Sequence, residues 1–253
     1  MDEIVEELRA AGSVFAEDEA AMLVETASSP DELAAMVQQR VGGVPVQQIV
    51  GWADFCGLRI LLEPGVFVPR HKTEFLVEKA IGLGSSGDVV LDLCCGTGAI
   101  GIAVSAGLQG VELHAADIDP TAVKCARRNV LPVGGRVWDG DLYEPLPDSL
   151  RGRVNLLLAN APYVPTREVR LMPRESRLHE EMVTLDGGED GLEIQRRVIE
   201  GASDWLAPGG RLLIETSDVQ AEGTIEVMKE AGFSTTVSMS RELNATVATG
   251  TRR

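Results

Sequence analysis

Residues 89–101 read Val89-Val90-Leu91-Asp92-Leu93-Cys94-Cys95-Gly96-Thr97-Gly98-Ala99-Ile100-Gly101. Five residues, apolar except for one acid, predict a buried strand, and the apolar Ala99–Ala106 that follows predicts a helix. Between them Gly96, Gly98 and Gly101 stand at GxGxxG spacing. Glycines at such a turn let a ligand approach the backbone and leave the first N–H groups of the helix to hold it. Asp117 lies 19 residues beyond Gly98 at the end of the next apolar run, where an acid can accept both hydroxyls of a ribose. The pattern fits a nucleotide-like ligand, and on these residues alone a dinucleotide stays open.

Outward from this turn the chain alternates. Strands are expected at Val111–Ala116, Arg136–Asp139, Val154–Ala159 and Leu212–Ile214, with helices at Thr121–Val130, Leu192–Leu206 and Val219–Ala231. Such alternation predicts an α/β fold with a parallel sheet covered on both faces and ligands at the carboxyl ends of its strands.

The N-terminal part differs. Ser29-Pro30-Asp31-Glu32 opens a helix with a cap, a proline at the first position and a glutamate to reach back. Gly42-Gly43 and Pro45 end it, so residues 1–43 read as a small helical domain. Residues 44–75 gather Trp52, Phe55, Phe67 and Phe75 among glycines and prolines, and a strand at Leu58–Leu62 suits a β-hairpin linker. Residues 76–253 carry the α/β pattern.

Composition excludes whole classes. The chain has 253 residues, 39 Asp+Glu against 23 Lys+Arg, a net charge of −16 and a pI near 4.6. Tight, non-specific nucleic-acid binding needs a basic face, so this balance disfavours it. Cys56, Cys94, Cys95 and Cys125 form neither a disulfide framework nor a zinc motif, and they suit reduced thiols in the cytoplasm. No apolar run approaches the roughly 20 residues needed to span a bilayer, and no signal peptide is expected. No metal is expected.

Two features favour S-adenosylmethionine. Asp92 opens Asp-Leu-Cys-Cys-Gly-Thr-Gly, which resembles the Asp-x-Gly-x-Gly-x-Gly pattern of class I, Rossmann-like methyltransferases. A carboxylate there suits the cationic methionyl portion better than a pyrophosphate. Asp139-Gly140-Asp141-Leu142, after the third strand, resembles the acidic segment that receives adenine in such enzymes. The fourth strand then ends Ala159-Asn160-Ala161-Pro162-Tyr163, which resembles the Asn-Pro-Pro-Tyr signature of enzymes that methylate a planar amino nitrogen. That nitrogen is a poor nucleophile because its lone pair is delocalised. Two acceptors aimed at its hydrogens, the Asn160 side-chain oxygen and a neighbouring carbonyl, orient it and stabilise the charge it develops. Tyr163 can pack on the flat acceptor group while Pro162 stiffens the loop.

With these residues in place the chain resembles the HemK/PrmC family of protein glutamine N(5)-methyltransferases. Pro45–Gly51 with Phe55-Cys56-Gly57 is similar to the family's linker hairpin, and Pro69-Arg70-His71-Lys72-Thr73-Glu74 to its Pro-Arg-Pro-x-Thr-Glu segment. Leu185-Asp186-Gly187-Gly188-Glu189-Asp190-Gly191-Leu192, Ile214-Glu215 and Gln220 also match. The resemblance implies that Asp92 and Cys94, Cys95, Gly96, Thr97 and Gly98 wrap the methionyl part of the cofactor and that Asp117 and Ile118 hold its ribose. It places Asp141 and Leu142 at the adenine, Asn160 between cofactor and acceptor, and Ala161, Pro162 and Tyr163 around the acceptor glutamine. It implies that residues 1–43 recognise the substrate, usually the Gly-Gly-Gln loop of a peptide-chain release factor.

Departures from the family pattern bear on the substrate more than on the chemistry. Ala161 replaces the signature's first proline, and Cys94 stands where glycine is usual, so a positive φ is harder to adopt there. His179-Glu180-Glu181-Met182 replaces a Glu-Pro stretch, and Leu243-Asn244-Ala245-Thr246 lacks the family's Asp and Arg ending. Arg167, Arg170, Arg174 and Arg177 follow the site, interleaved with Glu168 and Glu175, and read as a solvated mixed-charge loop broken by Pro173 or, alternatively, as a basic docking lip. Two further readings stay open: methylation of a nucleobase amino group or small molecule, and a non-catalytic S-adenosylmethionine-binding protein.

Overall fold

A computed structural model describes residues 1–172 and 180–253. Three helices come first: α1 (Asp2–Ala10), α2 (Ala16–Thr26) and α3 (Pro30–Val41). Ser29 caps α3 by accepting from the Glu32 N–H at 3.2 Å, while the Glu32 carboxylate takes the Ser28 N–H at 2.7 Å. The Glu32 N–H of the first turn and the Ser28 N–H just ahead of the cap are thereby satisfied. Leu8, Ala20, Leu23 and Val37 form a core of their own, and it also draws in Val46 and Val50 of α4 (Val46–Val50) and Trp52. The hairpin β1 (Trp52–Phe55) and β2 (Leu58–Leu61) follows, then the 3-10 turn His71–Thr73 and α5 (Glu74–Leu83).

The remaining chain lays down β3 (Val89–Leu93), α6 (Ala99–Gly107), β4 (Glu112–Asp117), α7 (Pro120–Val130), β5 (Arg136–Asp139), β6 (Val154–Ala159) and α8 (Thr166–Val169). Further along come α9 (Glu193–Trp205), β7 (Leu206–Thr216), α10 (Ala221–Glu230), β8 (Ser234–Ser240) and β9 (Ala245–Thr251). Seven strands form one sheet in the order β5-β4-β3-β6-β7-β9-β8. In β6, Leu156 and Leu158 enter one core with Val90, Val104 and Leu76, and Leu157 enters the other with Leu91, Ile199 and Trp205. Both faces are covered, so the strand reads as an unbroken apolar run, and each such buried leucine contributes about 1.5–3 kcal/mol.

The sheet order reverses at β3, which pairs in parallel with β4 on one side and β6 on the other. A crevice opens at the carboxyl ends of two such strands. Cys94 follows β3 and Asn160 follows β6, so both expected motifs reach this crevice.

Two differences from the expected strands stand out. β7 begins at Leu206 rather than Leu212, with Pro208-Gly209-Gly210 accommodated by a register shift against β6. A Cβ on Gly210 would meet the Val154 carbonyl oxygen at 2.8 Å, so the irregular segment needs that glycine. The sheet is also not wholly parallel, because β9 runs antiparallel to both β7 and β8. Four residues join β8 to β9, and a connection that short can only reverse the chain.

Candidate active site

A cavity of about 540 Å³ occupies the crevice. Its wall includes Cys94, Cys95, Gly96, Thr97, Asp117, Ile118, Asp141, Leu142, Asn160, Ala161, Pro162 and Tyr163. These are segments following four different strands. Of the residues expected at the cofactor, Asp92 and Gly98 do not face it. Asp92 is wholly buried behind the turn, where its Oδ2 accepts the Gly101 N–H at 2.9 Å. It braces the start of α6 from behind rather than lining the cavity. Gly98 has φ +79°, and a Cβ there would meet Val130 Cγ2 at 2.6 Å; it lets α6 start against α7.

The turn itself is open: a Cβ on Gly96 would meet nothing within 4 Å. Asp117 holds it from the side, with Oδ2 accepting the Gly96 N–H at 2.7 Å and Oδ1 the Asp119 N–H at 3.0 Å. Cys94 adopts φ +53°. The turn therefore keeps the left-handed conformation without a glycine, at a cost of about 1–2 kcal/mol. Leu142, across the cavity, does the same at φ +48°. Asn129 ties the turn to the hairpin: its Nδ2 donates to the carbonyls of Thr97 at 3.0 Å and Leu61 at 2.9 Å, and its Oδ1 accepts the Leu61 N–H at 2.9 Å.

Burial sets the charges. It raises the Asp92 carboxyl to about 8, against the pull of the Gly101 N–H and with the push of Asp117. Burial also raises Asp117, although the N–H groups of Asp119 and Gly96 oppose it. The thiols of Cys94 and Cys95 are pushed up by burial and by Asp117 and Asp92, so they stay protonated and unreactive.

At the mouth of β6 the Asn160 Nδ2 lies 3.3 Å from Thr73 Oγ1, which leaves the Asn160 Oδ1 to face another donor. The Tyr163 hydroxyl accepts from Lys72, whose Nζ lies 3.1 Å from Glu215 Oε1. The loop from Pro162 to Val164 is clasped by the segment Leu185–Leu192. Val164 donates to the Leu185 carbonyl at 3.1 Å, Gly187 to the Val164 carbonyl at 2.9 Å, and Gln220 Nε2 to the Tyr163 carbonyl at 2.8 Å. A Cβ on Gly187 would meet Tyr163 Cα at 2.7 Å, and one on Gly191 the Tyr163 carbonyl oxygen at 2.4 Å. Both glycines are there for close approach to this loop.

The residues that the motif reading left without a role are Thr73, Lys72, Asn129 and Arg197. Arg197 of α9 also lines the cavity and pairs with Asp141 at 2.6 Å, so Asp141 stands as one half of an ion pair. A charged residue one turn into a helix gives no sign of this in the sequence. Arg167 and Arg170 are exposed and do not line the cavity. Arg174, Arg177 and His179 lie outside the described residues. Among the described residues no cluster of His, Cys, Asp or Glu could hold a metal, and no helix is long and apolar enough to cross a membrane.

The features on the cavity wall fit an S-adenosyl ligand. The volume lies in the small-molecule range. Open space at Gly96, the carboxyl group of Asp117 next to Ile118, and Leu142 beside Asp141 suit a chain, a ribose and a flat base respectively.

The methyltransferase small domain family matches residues 57–183. A release factor glutamine methyltransferase of Geobacter sulfurreducens is 37% identical over 210 residues, covering 81% of this chain and 73% of that protein. A 4-amino-L-phenylalanine/4-methylamino-L-phenylalanine methyltransferase of Streptomyces pristinaespiralis is 32% identical over 203 residues, covering 78% of this chain and 69% of that one. A solved methyltransferase of Pyrococcus furiosus superposes with a TM-score of 0.59 at 18% identity, covering 78% of this chain and 89% of that chain, and shows the same fold. Identity of this extent places the chain: it belongs to the release factor glutamine methyltransferase family and is an S-adenosylmethionine-dependent methyltransferase of the class I, Rossmann-like fold.

Proposed function

We propose that the protein methylates the side-chain amide nitrogen of a protein glutamine, that of the Gly-Gly-Gln loop of a peptide-chain release factor. The observation that carries this reading is one cavity that holds the glycine turn, Asp117 and the Asn160–Tyr163 loop together. Cys94 to Gly98 would hold the methionyl part of S-adenosylmethionine, Asp117 and Ile118 its ribose, and Asp141 and Leu142 its adenine. When bound, that cofactor supplies a methyl group made electrophilic by a sulfonium.

The chain's own residues do the rest. Asn160 Oδ1 and the Ala161 carbonyl accept the two amide hydrogens, turn the nitrogen toward the methyl group and stabilise the charge it gains. The amide proton becomes acidic as that charge develops, so no strong base is required. Ala161 supplies a backbone carbonyl as the family proline does, and the clasp on Pro162–Val164 keeps the loop in place. Residues 1–43 would recognise the substrate protein, residues 44–75 link them to the catalytic part at 76–253, and the enzyme would work in the cytoplasm, where its four free thiols stay reduced.

Labelled cofactor with purified release factor tests the reading. Label on the Gly-Gly-Gln glutamine is expected, and its loss in Asn160→Ala with the fold retained. An unlabelled glutamine beside an active control enzyme refutes the substrate. One second reading has a specific observation behind it: the Streptomyces pristinaespiralis relative is named for a free arylamine amino acid. Turnover of such an amine with the release factor untouched would select it.

A further inference from the structure

Lys72 comes from the 3-10 turn His71–Thr73 and reaches two groups on other elements. Its ammonium donates to the Tyr163 hydroxyl, lies 3.1 Å from Glu215 Oε1 and stands 4.9 Å from the centre of the Tyr163 ring. The Glu215 side chain is 1% exposed, and among the described residues Lys72 is the cation beside it. A buried carboxylate holds its cation tightly, so the ammonium is fixed between Glu215 and Tyr163. Burial pulls the Lys72 ammonium down, but Glu215 and Tyr163 outweigh it and keep the group charged.

An ammonium has only hydrogens to give, whereas a phenol has one hydrogen to give and lone pairs to receive. With its oxygen accepting from Lys72, Tyr163 is left to donate. Lys72, Tyr163 and Asn160 line the same cavity. The acceptors at Asn160 and Ala161 serve any amino group, on an amide or on an aromatic ring. A hydroxyl donor beside them does not: a carboxamide has a carbonyl oxygen to receive it, and an arylamine has none. Sites that hydrogen-bond one substrate group reject analogues lacking it far more strongly than apolar pockets reject a change of size.

We propose that Lys72, anchored on Glu215, is a specificity-determining positioning residue that presents the Tyr163 hydroxyl as a donor to the acceptor's carbonyl oxygen, so that the pocket selects a carboxamide over an arylamine. This rests on the amide reading above and adds no covalent step to it.

The test compares wild type with K72R, Y163F, K72M/E215Q and K72M/E215Q/Y163F on release factor and on 4-amino-L-phenylalanine. Pairing K72M with E215Q avoids stranding a buried charge. Affinity for S-adenosylhomocysteine and thermal unfolding are measured alongside. Expected is a fall of about tenfold or more in kcat/KM on release factor in K72M/E215Q and in Y163F, the loss of one hydrogen bond to substrate. The triple variant should fall no further, K72R should recover most of the loss, and cofactor affinity should hold. Arylamine turnover, at whatever level, should not drop by the same factor. Unchanged amide turnover in K72M/E215Q, losses that multiply in the triple variant, or an equal loss of cofactor affinity overturns the proposal while leaving the amide reading intact. A wild type that transfers nothing to the glutamine overturns both.

Discussion

Asp92→Asn should make the protein more stable at neutral pH, although it changes a residue of the cofactor motif. Asp92 is fully buried, its Oδ2 accepts one N–H from Gly101, and its Oδ1 has no hydrogen-bond partner. Burial lifts the carboxyl from an ordinary 3.8 to about 8. Below the ordinary value the group is protonated in both states and its stabilising contribution is fully present. Between the two values the unfolded chain gives up its proton while the folded one keeps it, so stability falls by about 1.4 kcal/mol per pH unit. At neutral pH the accumulated loss is about 4 kcal/mol, and above about pH 8 it levels off. Asparagine carries no such charge. Its oxygen can still accept from Gly101, but its NH₂ then occupies the unpartnered place of Oδ1, at a cost of about 1–3 kcal/mol. The variant should therefore gain about 1–3 kcal/mol at neutral pH, and the two proteins should be equally stable near about pH 5. Urea unfolding of both across this range checks it, because groups that do not interact with Asp92 cancel in the difference and the coupled neighbour Asp117 only broadens the slope. A difference that does not vary with pH would show that Asp92 is ionised in the fold, and would refute the reasoning.

Other outcomes follow from single contacts. Asn129→Ala removes three hydrogen bonds that join the hairpin to the glycine turn. It should cost about 2–3 kcal/mol in urea unfolding, and a loss under about 0.5 kcal/mol would show that the packing of the hairpin suffices. Gly191→Ala places a Cβ at 2.4 Å from the Tyr163 carbonyl and forces a residue with φ +78°. Turnover should fall tenfold or more while cofactor affinity, read by calorimetry, stays within about twofold; equal losses would show damage beyond the acceptor loop. Burial raises Cys125 to about 11 and holds Cys94 and Cys95 higher than their ordinary value, and partial burial together with the Glu74 carboxylate raises the surface thiol of Cys56 to about 11. At about pH 8 the folded protein should show no fast thiol toward a disulfide reagent, and a stoichiometric burst would contradict this.

The two inner strands at the site were legible because each is buried on both faces: Val89–Leu93 and Val154–Ala159 end where their runs of apolar residues end, whereas Arg136–Asp139, a partly exposed edge strand, carries a weaker signal. The β8–β9 hairpin escaped notice because Ser234–Ser240 is an edge strand with little to bury, and a run of serine and threonine gives no strong alternation. The residues around the cavity were legible wherever a motif is contiguous, as from Cys94 to Gly98 and from Asn160 to Tyr163. Their supports were not. Lys72, Thr73, Asn129 and Arg197 act across 91, 87, 32 and 56 residues of chain. A periodicity or a local spacing cannot report a contact of that separation. Asp92 is the reverse case: it belongs to the contiguous motif, but the spacing alone does not show that its carboxyl lies behind the turn against the start of α6.

The acceptor loop shows how a departure from the signature can be absorbed. Replacing a proline by Ala161 releases φ at that residue and enlarges the unfolded ensemble, a cost of about 0.4–1 kcal/mol. In the fold, Ala161 is fully buried and the next residues are held from outside: Gly187 and Gly191 press on Pro162 and Tyr163, while Gln220 and Leu185 bond their backbone and that of Val164. A loop fixed by neighbours does not need to be fixed by its own ring. The rigidity then depends on residues far along the chain, at 185–191 and 220. If that is where the stiffness resides, restoring the ring with Ala161→Pro should raise stability by no more than about 1 kcal/mol and leave kcat nearly unchanged. Removing the Gln220 amide with Gln220→Ala should lower kcat several-fold. The reverse order of effects on kcat would place the stiffness back in the signature itself.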